Sequence, residues 1–241
     1  ISAWLINKFS SKKLYITAMS TFLIGTIICF VAQDFGMLLT GRLVQAAGVG
    51  VSMPLLQTIM LSIFPPEKRG AAMGTTGIVI GLAPALGPTL SGWIIDSYTW
   101  RDLFGMVIPI VVLVLILASF LMKNVIQLSN PSIDVLSVIL STLGFGSLLY
   151  GFSSVGDKGW GSPQVYGFLI VGAIVLCLFT YRQLHLEQPF LELRVFKSKV
   201  FTVAAILSGV TNMAMIGAEM VLPLYIQNIR GESAFHSGLM L

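Results

Sequence analysis

Apolar segments long enough to cross a lipid bilayer recur along this chain. Each runs for about 20 residues, and short polar stretches separate one from the next. Only 10% of the 241 residues are charged and 56% are hydrophobic, whereas a soluble domain carries about 25% charged residues. Because a bilayer offers the backbone no hydrogen-bond partners, segments of this length are expected to be helices and not barrel strands. The sequence therefore predicts an all-α integral membrane protein, a polytopic helical bundle.

Seven complete spans are predicted from these segments. They cover roughly residues 14–32, 37–64, 70–95, 103–122, 133–152, 165–184 and 200–227. Polar turns or loops are expected at 7–13, 65–70, 96–102 and 155–163, and the longest connector at 185–199. Both ends of the sequence fall inside further apolar segments. We therefore expect a fragment of a longer protein, truncated at both ends.

The basic residues are distributed unequally between the two sides of the predicted bundle. Of the 14 Lys and Arg residues, ten lie in turns or near span ends on one side: Lys8, Lys12, Lys13, Lys68, Arg69, Lys123, Arg182, Arg194, Lys197 and Lys199. Three fall on the other side, and the last, Arg42, lies inside a span. An excess of Lys and Arg marks the cytoplasmic side of a membrane protein. The turns at Lys12 and Lys68 are thus predicted to be cytoplasmic and Trp160 to lie outside.

One face of the third span consists almost entirely of small residues. They follow one another at helical spacings of three or four: Gly70, Gly74, Gly77, Gly81, Ala85, Pro88 and Gly92. Pro84 and Pro88 each remove a backbone donor and bend the helix. In a membrane such a face lets a neighbouring backbone approach closely. The spacing leaves two interpretations open, which are generic helix packing and a bent helix at a moving interface.

Two ionisable residues lie inside predicted spans, Arg42 and Glu219, each about two turns from the outer end of its helix. Charged groups at membrane depth are costly and mark candidate functional sites. Gln45 shares the span of Arg42, and Asn212 lies two turns before Glu219 in a polar stripe. The alternatives are snorkelling of Arg42 to the headgroups and, for Glu219, a structural hydrogen bond or a solvated position in the outer leaflet.

Other classes of site find little support in the sequence. Cys29 and Cys177 lie inside apolar segments, and His185 and His236 lie in loops or near the terminus, so neither a metal nor a nucleophilic site is indicated. No GxxxxGK[ST] motif occurs, which argues against a self-contained ATP-driven pump. The net charge of +4 comes from the loops and does not indicate nucleic-acid binding. No enzyme activity, cofactor or metal is predicted.

Three motifs together resemble the amino-terminal half of a major facilitator superfamily transporter. Gly41–Gly50 (GRLVQAAGVG) resembles the fourth-helix motif, with Ala46 where a glycine is usual. Gly81–Gly92 (GLAPALGPTLSG) resembles the antiporter motif of the fifth helix, with Ser91 replacing one glycine. Ala3–Lys13 (AWLINKFSSKK) resembles an eroded cytoplasmic gating motif.

The eroded motif keeps part of the family pattern and loses part of it. Leu5, Lys8, Lys12 and Lys13 match, but Asn7 replaces the usual aspartate. The stretches SYTWRDLF, GDKGWGS and LPLYIQNIRGESAFHSG are similar to the fourteen-helix drug:proton antiporter branch of bacteria. A gating ion pair that depends on the missing aspartate is therefore not expected.

The resemblance implies a domain division and a function. Residues 1–122 would belong to the N-terminal six-helix half, 123–199 to a central extra helix pair with its loops, and 200–241 to the start of the C-terminal half. The protein would be a monomer in the bacterial cell membrane, exporting lipophilic or cationic drugs in exchange for protons. The alternatives are a narrow exporter of one metabolite or antibiotic and, from another class, a membrane-embedded enzyme or channel.

The resemblance also implies roles for individual residues. Arg42, Gln45, Asn212 and Glu219 would form the proton and substrate pathway, with Arg42 and Glu219 lining one central cavity. The bent interface between the halves would consist of Gly77, Gly81, Pro84, Gly87, Pro88 and Gly92.

Overall fold

The computed structural model describes residues 2–126, 128–129, 134–187, 189 and 191–240, with the side chain of Ala85 left aside. These residues form helices and connecting turns, without a strand among them. The helices are α1 (Ser2–Lys8), α2 (Ser11–Phe30), α3 (Phe35–Ile63), α4 (Pro66–Ser97), α5 (Asp102–Leu121), α6 (Val135–Ser153), α7 (Val155–Lys158), α8 (Pro163–His185), α9 (Lys199–Asn228) and α10 (Ala234–Leu239).

Seven of the described helical segments are long and apolar enough to cross a membrane. They correspond to α2, α3, α4, α5, α6 with α7, α8 and α9. The predicted number of complete spans and the all-α membrane class are therefore confirmed. The predicted start of the fifth span, Ile133, lies outside the described residues.

Several predicted turns are wrong because they form the first turns of helices. Residues 66–70 belong to α4, with Pro65 as the N-cap residue, Pro66 in the first turn and Glu67 beside it. Proline fits the first helical turn, where its missing N–H has no partner to lose, and an acidic residue there complements the helix dipole. A basic, proline-containing stretch was thus a helix start and not a loop.

The predicted turn at 7–13 is also shorter than expected. Helix α1 continues to Lys8 and α2 begins at Ser11, which leaves Phe9 and Ser10 as the turn. Lysine is a good helix former, so a cluster of lysines does not end a helix. Lys12 and Lys13 therefore occupy the first turn of α2.

Two further connectors contain short helical turns. The loop predicted at 155–163 includes α7, and the connector predicted at 185–199 includes a 3-10 helix, Leu193–Lys197. The glycines of the first connector suggested a loop, but among them only Gly159, which follows α7, has a positive φ (72°).

The chain divides into two compact units, which are described separately. The central unit comprises residues 132–210 and contains α6, α7, α8, the 3-10 helix and the start of α9. In it, glycines of α6 and α8 receive leucine side chains of the opposite helix: a Cβ at Gly144 would lie 2.6 Å from Leu176, and one at Gly172 would lie 2.8 Å from Leu148. This interlocking of Gly and Leu explains how the apolar middle parts of the two helices pack closely.

The main unit comprises residues 2–131 and 211–241. Here α2 packs along α3 and α5, and α10 packs on α4. A small core at one end of these helices contains Ile6, Leu14 and Leu55, with Leu5 packed against it. The candidate functional residues of the sequence analysis all belong to this unit.

Candidate functional site at the α2–α3 and α4–α10 contacts

Arg42 begins a chain of hydrogen bonds that crosses from α3 to α2. Its Nη1 donates to Oε1 of Gln45 over 3.0 Å, and Nε2 of Gln45 donates to Oγ1 of Thr26 over 2.8 Å. The Thr26 hydroxyl in turn donates to the carbonyl oxygen of Phe22 over 2.8 Å. Arg42 itself is exposed, while Gln45 and Thr26 are buried between the two helices. Arg42 is therefore held at its distal end by a buried polar partner.

Three glycines bring α2 and α3 into backbone contact around Gln45. A Cβ added to Gly25 would lie 2.5 Å from the backbone nitrogen of Gln45 and 2.7 Å from the carbonyl oxygen of Gly41. A Cβ on Gly41 would lie 2.5 Å from Sγ of Cys29, and one on Gly48 would lie 2.5 Å from the carbonyl oxygen of Ala18. The close approach places the backbone nitrogen and Cγ of Gln45 against α2, so packing as well as hydrogen bonds holds this residue in place.

A second backbone-to-backbone contact joins α4 to α10. Gly92 lies directly against the backbone of Ala234, and Gly238 lies directly against Pro88. The hydroxyl of Thr89 donates to the carbonyl oxygen of Gly238 over 2.8 Å, and the backbone N–H of Phe235 donates to Oδ2 of Asp96 over 2.9 Å. Glycine on each helix removes the side chains that would separate the backbones.

Glu219 is half-buried and lines a cleft beside this contact. The cleft has a volume of about 280 Å³, and its lining includes Pro88, Gly92, Gln227 and Ser237. The Ser237 hydroxyl is buried and has no hydrogen-bond partner among the described residues. The structure thus brings Glu219 of the predicted pathway together with Pro88 and Gly92 of the predicted interface.

The remaining small residues of the predicted interface do not meet a neighbour in the described part of the chain. A Cβ built on Gly77, Gly81 or Gly87 would have no atom within 4 Å. Pro84 lies in the same helix, which continues through both prolines to Ser97. Their place in an interface between halves stays a prediction.

Arg42 and Glu219 are not paired in the described structure. The described ion pairs join other residues, and no cleft described here is lined by both. Asn212 lies on α9, seven residues before Glu219. The shared cavity predicted for Arg42 and Glu219 therefore remains untested.

The eroded gating motif packs against the segment that follows α5. The backbone N–H of Lys12 donates to Oδ1 of Asn124 over 3.2 Å, and its Nζ donates to the carbonyl oxygen of Ser119 over 2.6 Å. The backbone N–H of Val125 donates to Oγ of Ser11 over 3.2 Å. The start of α2 and the end of α5 thus lie at the same end of their helices.

The other motif residues fall nearby. Leu5 packs on the small core, and the backbone carbonyl of Asn7 accepts from Ser129 over 2.9 Å. Nζ of Lys8 lies 4.4 Å from the ring centre of Trp4, a cation–π contact. Lys13 lines an apolar cleft between α1, α2 and α3. Asn7 makes its described contact through the backbone, and its role in gating stays a prediction.

The central unit contains a polar cluster that sequence reasoning missed. Arg182 of α8 donates through Nε and Nη2 to both carboxylate oxygens of Asp134, each over 3.1 Å. The side-chain NH₂ of buried Gln183 donates to the hydroxyl of Ser137, and that hydroxyl donates to Asp134. Oε1 of Gln183 accepts a hydrogen bond from the backbone N–H of Leu191 over 3.0 Å. The Arg182 guanidinium lowers the pKa of Asp134 from its ordinary 3.8 to about 2. We call these four side chains the α6–α8 clasp.

A sequence signal for this clasp exists, although it is weak. Asp134 precedes an apolar run and Ser137 follows three residues later, which is typical of a helix N-cap. The opposing Arg182 was counted only as a loop charge. Metal chemistry finds no support in the described residues, which hold no group of three or more His, Cys, Asp or Glu side chains suited to an ion.

Comparison with known proteins places these features in a family. The Major Facilitator Superfamily model matches residues 1–241. The uncharacterized MFS-type transporter YcnB of Bacillus subtilis is 55% identical over 241 residues, which are 100% of this chain and 51% of that protein. Lincomycin resistance protein LmrB of Listeria monocytogenes is 45% identical over 224 residues, 93% of this chain and 48% of LmrB.

A more distant relative extends the comparison. Multidrug export protein EmrB of Escherichia coli K12 is 30% identical over 241 residues, 99% of this chain and 47% of EmrB. The chain thus spans about half the length of the relatives it matches. Since the family model covers every residue and the described helices are those of a polytopic membrane protein, the chain belongs to the Major Facilitator Superfamily.

Proposed function

We propose that the complete protein exports lipophilic, cationic drugs from bacterial cells in exchange for protons. The observation that carries this proposal is a half-buried carboxylate, Glu219, in a cleft formed beside the antiporter motif. Relatives named for lincomycin resistance and multidrug export support drug efflux as the transported class. The family is one of transporters, which favours transport over the membrane-enzyme or channel alternative.

The proposed coupling uses Glu219 as the group for which proton and substrate compete. A carboxylate away from bulk water gains stability from either a proton or a cation. Binding of one then excludes the other, which is the linkage that antiport requires. Gln45 and Arg42 would shape the pathway from the N-terminal half, and Asn212 would extend the polar stripe on the helix of Glu219.

The proposed movement is alternating access by two halves of the molecule. Residues 1–122 would move with the N-terminal half and 200–241 with the C-terminal half, while 123–199 form a central pair. Transporters of this type have parallel repeats that rock around a central site. The contact of Gly92 with Ala234 lies between the two proposed halves, and Gly77, Gly81, Pro84 and Gly87 would extend it further along α4. In this scheme Gly81→Leu abolishes export while leaving membrane insertion intact.

The test is drug-stimulated proton release from the purified full-length transporter. We expect Glu219→Gln to reduce both proton release and export of tetraphenylphosphonium, a permanent cation, more than export of the neutral compound chloramphenicol. Glu219→Asp keeps the charge and should be milder. If proton release and cation export both survive Glu219→Gln, the proposed coupling role of Glu219 is wrong.

A narrower exporter is the second candidate function. The LmrB proteins are 45% identical to this chain, whereas EmrB is 30% identical, which favours a lincomycin-type substrate over a broad range. Lincomycin carries a basic amine and is itself compatible with a carboxylate site. Measuring resistance to lincomycin and to unrelated lipophilic cations in one strain separates the two candidates: resistance to lincomycin alone would support the narrow one.

A further inference from the structure

We propose that Thr26 is a positioning residue that sets the orientation of the Gln45 side-chain amide and thereby holds Arg42 in place. The inference rests on the proposed role of Arg42 in the transport pathway. It concerns a threonine on α2 that no motif of the sequence marks. The argument depends on which groups can donate a hydrogen bond and which can only accept one.

Arg42 can only donate hydrogen bonds, and this fixes the donor-to-acceptor direction of every bond from Arg42 to Phe22. A guanidinium has donors and no acceptor, so the end of Gln45 that faces Nη1 at 3.0 Å must be the carbonyl oxygen. The NH₂ end of the same amide then faces Thr26 at 2.8 Å. Thr26 must therefore accept this bond with a lone pair of its hydroxyl oxygen.

The Thr26 hydroxyl donates its single proton elsewhere and accepts from Gln45 with an oxygen lone pair. It lies 2.8 Å from the carbonyl oxygen of Phe22, one helical turn earlier, and donates to it. The resulting order runs from Arg42 through Gln45 and Thr26 to a backbone carbonyl, with each group donating to the next. If the amide were reversed, its NH₂ group would face the guanidinium of Arg42, and two groups that can only donate would lie opposite each other.

Burial makes this arrangement sensitive to the loss of one acceptor. Thr26 is 0% exposed and Gln45 is 5% exposed, so water has little access to replace a lost partner. The backbone of Gly25 packs closely against the backbone nitrogen and Cγ of Gln45, which limits how far the side chain can shift towards another acceptor. Without Thr26, the NH₂ group of Gln45 is left buried and unpaired, so the amide orientation that presents the carbonyl oxygen to Arg42 loses the bond that stabilises it.

Valine and serine substitutions at position 26 distinguish the effect of losing the hydroxyl oxygen from the effect of changing the side-chain shape. Thr26→Val keeps the branched shape but removes the oxygen, whereas Thr26→Ser keeps the oxygen. Thr21 is the matched control, because its hydroxyl makes the same bond to the backbone one turn earlier, to Thr17 over 2.9 Å. No described hydrogen bond links Thr21 to α3.

The experiment measures export of tetraphenylphosphonium, the cation used to test the proposed function, by the full-length transporter in membrane vesicles, normalised to the amount of protein. We expect Thr26→Val to lower the export rate about tenfold, the factor that follows when a buried amide loses its acceptor. Thr26→Ser should retain most of the rate, and Thr21→Val should match the wild type. Equal rates for Thr26→Val and the wild type would overturn the inference.

A double-mutant cycle tests whether Thr26 acts through Gln45. Once Gln45→Leu has removed the amide, Thr26→Val should cause no further loss in export or in the thermal unfolding midpoint of the purified protein. Additive effects in both readouts would show that Thr26 acts independently, which contradicts the inference. The unfolding midpoint reports the hydrogen bond whatever the transported compound is.

The Arg42→Lys variant distinguishes failure of the inference from failure of the proposed function. An ammonium cannot reproduce the fixed donors of a guanidinium, so Arg42→Lys should also lower export. If Arg42→Lys exports normally, the proposed role of Arg42 and the inference are both wrong. If Arg42→Lys is impaired and Thr26→Val is not, the inference alone is wrong.

Discussion

Gly92 of α4 lies directly against the backbone of Ala234 at the start of α10, with no room for a side chain between them. Gly238, one turn further along α10, lies in the same way against Pro88. Each helix therefore contributes a glycine to a crossing that two hydrogen bonds also hold, from Thr89 to Gly238 and from Phe235 to Asp96. Small changes at these glycines should have large effects.

We expect Gly92→Ala to destabilise the full-length transporter by about 1–3 kcal/mol, because the added methyl group overpacks a backbone contact. The matched control is Gly74→Ala in the same helix, where a Cβ would meet no atom within 4 Å. That control should be neutral or slightly stabilising, since alanine is the better helix former. Thermal unfolding of both purified variants is the measurement, and equal midpoints for the two would contradict the described crossing.

We expect Gly25→Ala to weaken the α2–α3 pair and, with it, the position of Gln45. A Cβ there would lie 2.5 Å from the backbone nitrogen of Gln45, closer than real Cβ atoms approach, so one helix must shift, at a cost of about 1–3 kcal/mol. Gly50→Ala in α3 is the control, because its Cβ would lie in open space. The measurement is the export rate together with the unfolding midpoint. Normal values for Gly25→Ala would show that the two helices can separate freely.

We expect the α6–α8 clasp to contribute a pH-dependent part of the stability. The folded pKa of Asp134, about 2, lies below its ordinary value of 3.8, so the carboxylate binds protons less readily in the folded state. This contribution is complete above pH ~4 and is lost as the pH falls towards 2. Asp134→Asn should lower the free energy of unfolding by about 1–3 kcal/mol at neutral pH.

The difference between wild type and Asp134→Asn is the informative quantity for the clasp. Unfolding midpoints of both proteins between pH 7 and 2 should differ by a constant amount down to about pH 4 and converge below it. Asp157→Asn, at an exposed position in α7, should leave the wild-type curve unchanged. A difference that grows as the pH falls would refute the assigned direction of the pKa shift.

We expect residue 68 to face the cytoplasm and residue 160 to face outward. The test introduces Lys68→Cys or Trp160→Cys into a protein whose native cysteines, Cys29 and Cys177, are replaced by alanine. An impermeant maleimide applied to intact cells should label position 160 alone, because an excess of Lys and Arg marks the side of a membrane protein that faces the cytoplasm. Both side chains are exposed in the structure, so access is not limited by burial. Labelling at position 68 in intact cells would reverse the predicted orientation.

The sequence by itself determined the class of this protein, the number of its described spans and its family. Hydrophobic length fixes a membrane helix because the bilayer core has one thickness and satisfies no backbone groups. The motif around Arg42 and the antiporter motif of α4 could likewise be identified from residue order, since they are local patterns. The exact helix starts could not, because lysines and an N-terminal proline permit a turn and a helix equally well.

Only the tertiary structure decided which glycines make contact. The regular small-residue face of α4 attracted attention in the sequence, yet of its glycines only Gly92 meets another helix in the described part of the chain, while Gly25, Gly41 and Gly48 bring α2 and α3 together. A glycine permits close approach but does not choose the partner, which depends on how the helices cross. The same reason hid the bond between Thr26 and Gln45 and the pairing of Asp134 with Arg182, since their partners are separated by 19 and 48 residues.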